Sequence, residues 1–173
     1  MSRIDYRETV CNLINDNNYK EIAEVGIWRG ELSRRIINKC SPERLILVDP
    51  FSYNMNHIGN YICTMGEKER FQEELDIMAK EIEKLPAHFL RMNSTDAVEH
   101  VEDGSLDFVF IDAVHLYKYV VEDVMAWLPK IRKGGMISGD DYVSPKHQKD
   151  VRKAVKDTIG EVDNTHRVWF KKV

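Results

Sequence analysis

One stretch of the chain, Leu106–Tyr142, constrains the fold more than any other because it predicts two parallel strands joined by a helix. It opens with the apolar run Leu106–Ile111, which is too continuous for a half-exposed strand and predicts a strand buried on both faces. Lys133-Gly134-Gly135 is expected to end the helix, and Met136–Gly139 to form the second strand. The apolar residues at helical spacing between the two strands are Val120, Val121, Val124, Leu128 and Ile131.

Polar residues follow both of these strands. Asp112 comes directly after the first strand, with His115 three residues further on, and Asp140-Asp141 ends the second. A right-handed crossover places the carboxyl ends of two parallel strands at the same edge of the sheet. Open α/β sheets bind their ligands at that edge. The sequence therefore predicts that these side chains converge on a binding site.

The composition is that of an ordinary folded domain and excludes several functions. The 173 residues suit one domain, and 43% hydrophobic with 31% charged residues are typical of a globular protein. A net charge of −4 argues against a nucleic acid as the main partner. No apolar run is long enough to span a membrane, and the N-terminus lacks an apolar signal core. Three widely spaced cysteines without a CxxC motif indicate a reducing, cytoplasmic environment.

The flanking segments fit a single domain, residues 1–173. Within residues 1–20, the apolar spacing over 5–18 predicts a helix that packs outside the sheet or forms part of a substrate wall. Residues 52–66 have no clean periodicity and are interpreted as a lid or insertion beside the site. The alternating tail around Trp169 predicts an antiparallel strand at the edge of the sheet.

A second unit of strand, glycine turn and helix begins with the predicted strand Glu21–Trp28. Such a turn presents backbone N–H groups to a ligand, and Gly26 and Gly30 remove side chains where that ligand approaches. The next strand ends on Asp49, 23 residues after Gly26, where an acidic residue is placed to accept hydrogen bonds from ribose hydroxyls. This combination favours an adenosine-type ligand.

The turn reads E-V-G-I-W-R-G rather than G-x-G-x-x-G, and its leading carboxylate, Glu24, suits a cationic ligand better than a pyrophosphate. Here the sequence resembles the class I S-adenosylmethionine (SAM)-dependent methyltransferases. Their first motif is an acidic residue followed by G-x-x-x-G or G-x-G-x-G, and their second strand ends in an acidic residue. The resemblance implies a cofactor site, with the ribose at Asp49 and the adenine ring beside Ser94. Its members are Glu24, Gly26, Trp28, Gly30, Asp49, Ser94 and Asp112.

Three carboxylates at one sheet edge repel each other unless a cation neutralises them. The oxygen ligands of Asp112, Asp140 and Asp141 suit a hard ion, Mg²⁺ most naturally, with Mn²⁺ or Ca²⁺ as alternatives. A bound ion lowers the pKa of a substrate hydroxyl, and His115 then takes its proton as general base. The alternative is that these residues are a strand cap, a turn and a surface histidine without chemistry.

The motifs I-D-A-x-H-x-Y, P-x-x-x-x-G-G and G-D-D-Y together resemble the metal-dependent O-methyltransferases. The resemblance covers most of the chain. It points to the macrocin-type, macrolide-sugar branch, which is related to catechol and caffeoyl-CoA O-methyltransferases, and it implies Asp112, Asp140 and Asp141 as metal ligands. The catechol-type enzymes have Lys in place of His115 and Asn in place of Asp141, so this chain is more similar to the sugar-modifying branch. The short N-terminal sequence leaves the acceptor open, and also whether a second subunit completes the site.

Three other interpretations stay open at this point. The Y-x-x-x-K spacing of Tyr142 and Lys146 is that of short-chain NAD(P) dehydrogenases, although Pro145 lies between them and Glu24 would repel a pyrophosphate. A metal-dependent hydrolase would use the same aspartates without SAM. A non-catalytic, methyltransferase-like binding protein would keep the fold alone.

The sequence thus predicts an α/β fold with a doubly wound, Rossmann-like sheet. The sheet is expected to have six or seven mostly parallel strands, an antiparallel last strand, and helices on both faces. The predicted function is SAM-dependent transfer of a methyl group to a hydroxyl of a small acceptor, a sugar or glycoside. The transfer is expected to use a divalent ion, with His115 and Asp112 as catalytic residues. The expected partners are that acceptor and, where a second subunit completes the site, another copy of the chain.

Overall fold

The computed structural model describes residues 5–52, 65–143 and 146–173. The helices are α1 (Tyr6–Asp16), α2 (Glu31–Cys40), α3 (Met65–Ile82), α4 (Ser94–Ala97), α5 (Tyr117–Trp127) and α6 (Gln148–Ile159). The strands are β1 (Glu21–Val25), β2 (Arg44–Val48), β3 (His88–Leu90), β4 (Leu106–Ile111), β5 (Ile131–Gly139), β6 (Asp163–Thr165) and β7 (Val168–Lys172). Short 3₁₀ helices, Val98–His100 and Leu128–Lys130, follow α4 and α5.

The strands form one seven-stranded sheet in the order β3-β2-β1-β4-β5-β7-β6. The strands β1 to β5 pair in parallel, β7 is antiparallel to β5, and β6 is antiparallel to β7. This confirms the predicted mostly parallel sheet with an antiparallel last strand. The prediction that the last strand lies at the edge is wrong, because the preceding β6 pairs with its outer side.

Alternate strand positions face two separate apolar cores, one on each face of the sheet. On one face, α1, α2 and α3 cover strand residues such as Phe110, and Ile36 of α2 is fully buried there. On the other face, α5 and α6 cover Val109, with Val124 of α5 fully buried. The strand β4 is buried along its whole length, as its continuous apolar run predicts. The helices therefore cover both faces and leave the carboxyl edge of the sheet for a site.

The helix α5 ends, and β5 begins, earlier than the sequence predicts. The helix ends at Trp127 because Pro129 follows, and a proline has no N–H to continue the helical ladder. Gly134 and Gly135 consequently lie inside β5, and the expectation that they end the helix is wrong. The β4–β5 register shifts beside them, and a Cβ on Gly135 would lie 2.6 Å from the Asp107 carbonyl oxygen. These glycines therefore permit an irregular strand in close contact with its neighbour.

The N-terminal helix is shorter than predicted. It begins after Asp5, whose side chain accepts a hydrogen bond from the Arg7 N–H at 3.1 Å, and it ends at Asp16.

Of the predicted lid at 52–66, residues 53–64 lie outside the described residues. Within the described ranges, no helix is both long and apolar enough to cross a membrane.

Candidate active site

The carboxyl ends of three neighbouring strands are level at the centre of the sheet. Val25 of β1 is paired with Ile111 of β4, which is paired with Gly139 of β5. The Asp112 N–H donates to the Val25 carbonyl oxygen at 2.8 Å, and the Asp140 N–H donates to the Ile111 carbonyl oxygen at 3.1 Å. These backbone bonds bring the acidic residues of two strands to one edge, as the sequence predicts.

A cavity of about 560 Å³ opens at this edge. A smaller cavity of about 370 Å³ shares Gly26, Trp28 and Asp112 with it and is also lined by Glu24. Gly30 belongs to neither lining. Cavities of this size are typical of small-molecule sites. The predicted cofactor residues that line the larger cavity are Gly26, Trp28, Asp49, Ser94 and Asp112.

The two glycines of the turn are required by contacts within the protein itself. Gly26 has a φ of +89°, and a Cβ there would lie 2.3 Å from the carbonyl oxygen of Asp112. Gly30 has a φ of +70° at the start of α2, and a Cβ there would lie 2.3 Å from Cδ1 of Ile82. Gly30 is therefore a packing residue against α3, and the geometry gives no support to a ligand contact for it. Gly26 lies where the two cavities meet.

The turn after β1 is held in place by Asp49. The strand ends at Val25 rather than at Trp28, where the sequence predicts its end. The Asp49 Oδ2 accepts hydrogen bonds from the N–H groups of Ile27 at 2.9 Å and Trp28 at 3.3 Å, and Oδ1 accepts one from Phe51 N–H at 2.8 Å. Each carboxylate oxygen can accept more than one bond, so a ribose contact stays a prediction.

Ser94 lies on the wall of the larger cavity, in the first turn of α4. Its Oγ accepts a hydrogen bond from Nε1 of Trp127 at 2.9 Å. This bond ties the cavity wall to α5 and fixes the hydroxyl group. The predicted contact of Ser94 with adenine remains a prediction.

Glu24 is a buried acid in β1. It is 1% exposed, and within the described part of the chain its Oε2 has no hydrogen-bond partner. Burial raises the pKa of this carboxyl group to about 8, although the nearby Ser33 hydroxyl opposes the shift. Glu24 is therefore protonated at neutral pH unless a cation or a further donor arrives. A ligand with an ammonium group would supply both.

The free energy of unfolding of the ligand-free protein should fall as the pH rises, because of Glu24. The folded state keeps the proton up to a pKa of about 8, whereas the unfolded chain loses it near 4.5. As the pH rises between these two pKa values, ionisation of Glu24 stabilises the unfolded state relative to the folded state by on the order of a few kcal/mol. Thermal unfolding over this pH range should show the decline, and Glu24→Gln should make it less steep, while Asp140, whose pKa is raised to about 7, keeps part of it. An equal decline in the variant would mean that other groups cause it.

Arg167 forms ion pairs with both of the paired aspartates, a contact that the sequence analysis missed. Its Nε lies 2.6 Å from Oδ1 of Asp140, and its Nη2 is ion-paired with both Asp140 and Asp141. Burial and the charge of Asp112 still raise the pKa of Asp140 to about 7. The antiparallel register of β5 and β7 brings Arg167 beside the aspartates. That register is known only once the strands are paired, so the sequence carries no local signal for this contact.

The helix α1 reaches the site through Tyr6. The Tyr6 hydroxyl donates to Oδ2 of Asp112 at 3.2 Å, and its ring is stacked on Phe110 with centroids 6.3 Å apart. The Arg167 guanidinium lies 5.2 Å from the Tyr6 ring centroid. Burial and the charge of Asp112 raise the pKa of Tyr6, so the phenol stays a donor. The helix thus packs on the sheet through Val10 and Ile14 and also lines the smaller cavity through Tyr6 and Arg7.

The three predicted metal ligands are thus engaged by protein groups. Asp112 accepts a hydrogen bond from Tyr6, and Arg167 is paired with both Asp140 and Asp141. Among the described residues, the group whose ligand atoms converge on one point is His115, Asp141 and His147, so the three aspartates alone do not fit a single Mg²⁺ ion held by all of them. Dependence on magnesium remains a prediction.

His115 lies between the acidic positions. Its Nε2 is 3.2 Å from Oδ1 of Asp112 and 3.7 Å from Oδ2 of Asp141. Burial would lower the pKa of His115, but the neighbouring carboxylates outweigh it and raise the pKa above the ordinary value. His147, which the sequence analysis missed, lies against His115 with ring centroids 5.1 Å apart. The sequence signal for His147 is only its position in the loop that follows the paired aspartates.

The spacing of Tyr142 and Lys146 does not place the two side chains on a common helix face. The helix α6 begins at Gln148, so both residues precede it. The Tyr142 N–H instead donates to the Arg167 carbonyl oxygen at 2.9 Å. The dehydrogenase interpretation therefore loses the geometry on which it depends.

Comparison with known families decides the class of the protein. A family described as a methyltransferase domain matches residues 23–142. The chain belongs to this methyltransferase family. The matched range contains the turn after β1, Asp49, and the whole strand–helix–strand stretch that ends on the paired aspartates.

Solved methyltransferase structures share the fold. The O-methyltransferase NovP aligns with a TM-score of 0.61 and 19% sequence identity, and the alignment covers 96% of this chain and 76% of the NovP chain. CalS11, a TDP-rhamnose 3'-O-methyltransferase of calicheamicin biosynthesis, aligns with a TM-score of 0.60 and 13% sequence identity, and the alignment covers 95% of this chain and 77% of the CalS11 chain.

An uncharacterized protein of Acanthamoeba polyphaga mimivirus is a relative in sequence. It is 25% identical over 145 residues, which are 80% of this chain and 59% of that protein. This methyltransferase thus spans less than two thirds of that viral relative.

Proposed function

We propose that this methyltransferase transfers the methyl group of SAM to a hydroxyl group of a small acceptor, a sugar or glycoside. The observation that carries the proposal is the larger cavity, because residues expected from the sequence to bind the cofactor line it together. Asp112 belongs to that lining and lies beside His115, the expected base. Donor site and proton acceptor would therefore be neighbours.

The two cavities fit a donor that has an adenosine part and a charged amino-acid part. The larger cavity has an apolar wall of Val48, Phe51 and Leu75 for a flat ring, and Asp49 supplies acceptor oxygens for hydroxyl groups. The smaller cavity contains Glu24, whose buried Oε2 lacks a partner in the described chain and would accept from an ammonium group. When bound, SAM supplies an electrophilic methyl group on a sulfonium centre.

The chain itself would contribute proton removal and alignment. His115 would accept the proton of the acceptor hydroxyl, and the carboxylate of Asp112 at 3.2 Å would stabilise the imidazolium that forms. Because the pKa of His115 is raised, its base form prevails only at a pH above that value, and turnover should fall as the pH falls. Holding the hydroxyl in line with the methyl group removes most of the remaining entropic barrier.

Two observations support a sugar as the acceptor. The structural relative CalS11 is a TDP-rhamnose 3'-O-methyltransferase, and the sequence resembles the sugar-modifying branch at His115 and Asp141. Because the three aspartates do not fit magnesium here, the proposal needs no step through that ion.

Calorimetric binding of S-adenosylhomocysteine, with NADH as the control ligand and with and without Mg²⁺, tests the proposed function. We expect micromolar binding of S-adenosylhomocysteine and no binding of NADH, because the turn after β1 lacks the glycine fingerprint that binds a pyrophosphate. Absence of S-adenosylhomocysteine binding under both conditions would refute the proposal. In that case a hydrolase or a non-catalytic binding protein would explain the fold better.

A further inference from the structure

We propose that His115, Asp141 and His147 bind a divalent transition-metal ion, represented by Zn²⁺, at the edge where the sequence predicts magnesium. The role of the ion, which is to bind the acceptor hydroxyl beside the methyl donor, rests on the proposed function. Binding of the ion itself does not, and it is measured separately.

The first support is geometric. One nitrogen from each imidazole and one carboxylate oxygen lie within 4.8 Å of one another. Ligand atoms of a tetrahedral zinc ion are roughly 3.3 Å apart, because zinc–nitrogen bonds are about 2.0–2.1 Å long. The His115 Nε2 and Asp141 Oδ2 already lie 3.7 Å apart, and the two imidazole centroids lie 5.1 Å apart. The ligand atoms therefore have to approach by on the order of 1 Å to reach the spacing of a tetrahedral zinc ion.

The second support is the state of the His115 ring. Its Nε2 is buried and makes no hydrogen bond of acceptable geometry within the described chain, although carboxylate oxygens of Asp112 and Asp141 lie close by. Buried polar atoms without a partner are uncommon in folded proteins. A metal ion placed between the nitrogen and the carboxylate would satisfy both atoms.

The third support is charge. Asp112, Asp140 and Asp141 adjoin one another at the sheet edge, and Arg167 pairs with two of them. When all three are ionised, this leaves two negative charges, which a divalent cation would neutralise. Asp141 pairs with Arg167 through Oδ1, whereas its Oδ2 faces His115. Arg167 and a metal ion can therefore bind the same carboxylate on opposite sides.

The donor atoms select the class of ion. Magnesium prefers six oxygen ligands, whereas two imidazoles with one carboxylate suit zinc and neighbouring transition metals. Three protein ligands leave a coordination position open, as in catalytic zinc sites. An acceptor hydroxyl bound there would have a lowered pKa. His115 would then be a metal ligand and not the base, and the proton of the bound hydroxyl would pass to the neighbouring Asp112 carboxylate as the methyl group leaves the sulfonium and S-adenosylhomocysteine remains.

The test is calorimetric titration of metal-free protein with Zn²⁺, with Mg²⁺ in parallel. We expect one Zn²⁺ to bind per chain with micromolar or tighter affinity, and no Mg²⁺ to bind at the same concentrations. His147→Ala should weaken Zn²⁺ binding by about 100-fold or more, and the polar variant His147→Gln should do the same. His100→Ala, which removes an exposed histidine elsewhere, is the matched control and should keep the wild-type affinity.

The visible spectrum of bound Co²⁺ provides a second readout, because it reports nitrogen and oxygen ligands directly. Loss of that spectrum in both His147 variants, with retention in His100→Ala, would support the site. Failure of the wild type to bind Zn²⁺, or equal affinity in wild type and His147→Ala, would overturn it. The proposal would also be overturned if the protein bound Mg²⁺, if Asp140→Ala abolished that binding and if His147→Ala preserved it. The metal site would then be formed by the three aspartates. Binding of S-adenosylhomocysteine, measured on the same samples, separates failure of this site from failure of the proposed function.

Discussion

Gly26→Ala is expected to lower the affinity for S-adenosylhomocysteine by about 100-fold, which corresponds to about 3 kcal/mol. The new Cβ would lie 2.3 Å from the carbonyl oxygen of Asp112, far inside van der Waals contact. The φ of +89° adds strain for any residue with a side chain. To relieve the clash, the turn after β1 must move away from Asp112, and both segments line the larger cavity. Calorimetry would give the loss of affinity directly.

The same substitution should also reduce the free energy of unfolding, by roughly 2–4 kcal/mol in urea denaturation. Gly104→Ala is the matched control, because Gly104 has a φ of +66° and nothing within 4 Å of the position a Cβ would take. Gly104→Ala should lower the free energy of unfolding by about 1 kcal/mol, through backbone strain alone, and should leave the affinity for S-adenosylhomocysteine unchanged. Equal effects of the two variants on affinity would show that the approach of Gly26 to Asp112 does not shape the site.

The parts of the site that are local in sequence could be predicted. Asp112 and Asp140 each follow a buried apolar strand, and a right-handed crossover between parallel strands is nearly obligatory. Their meeting at one sheet edge therefore follows from the hydrophobic pattern alone. The glycine turn was predicted for the same reason, since Gly26 directly follows the last buried residue of β1.

Contacts that depend on tertiary pairing could not be predicted. Arg167 meets the aspartates only because β7 inserts next to β5 in one antiparallel register. His147 lies beside His115 as the residue directly before α6, far along the chain from its partner. Neither residue belongs to a motif with fixed spacing, yet they determine which atoms remain available to a ligand or metal.

Two glycine positions are restricted by neighbouring elements as well. Gly30 occupies a position of the glycine motif, its φ of +70° favours glycine, and Ile82 of α3 packs beside it; its contact with a ligand stays a prediction. The double glycine in β5 resembles a helix stop, but Pro129 had already ended the helix. In both cases the sequence identifies a restricted backbone, whereas the group that imposes the restriction comes from another element.

His115→Ala is expected to reduce methyl transfer at neutral pH by about 10²–10⁴-fold. The His115 Nε2 lies 3.2 Å from Oδ1 of Asp112, and the neighbouring carboxylates raise the pKa of His115. If it is the general base, wild-type turnover rises with pH through that raised pKa. The variant should lack this rise and approach the wild type at high pH, where the acceptor loses its proton unaided. Formation of S-adenosylhomocysteine from SAM and a hydroxylated acceptor on which the wild type is active, followed across the pH range, would measure both profiles. An unchanged profile would exclude His115 as the base.

Comparison with His147→Ala then separates the two roles that His115 can have. As a base, His115 acts without His147, so His147→Ala should keep the pH profile of the wild type with a smaller loss of rate. As ligands of one ion, the two histidines should give variants with the same defect, because losing either imidazole releases the metal. Added Zn²⁺ should then restore part of the activity of His147→Ala, whereas raising the pH should not. The rate measurements and the metal titration must agree, since an ion that determines the rate has to be bound by the residues whose loss abolishes it.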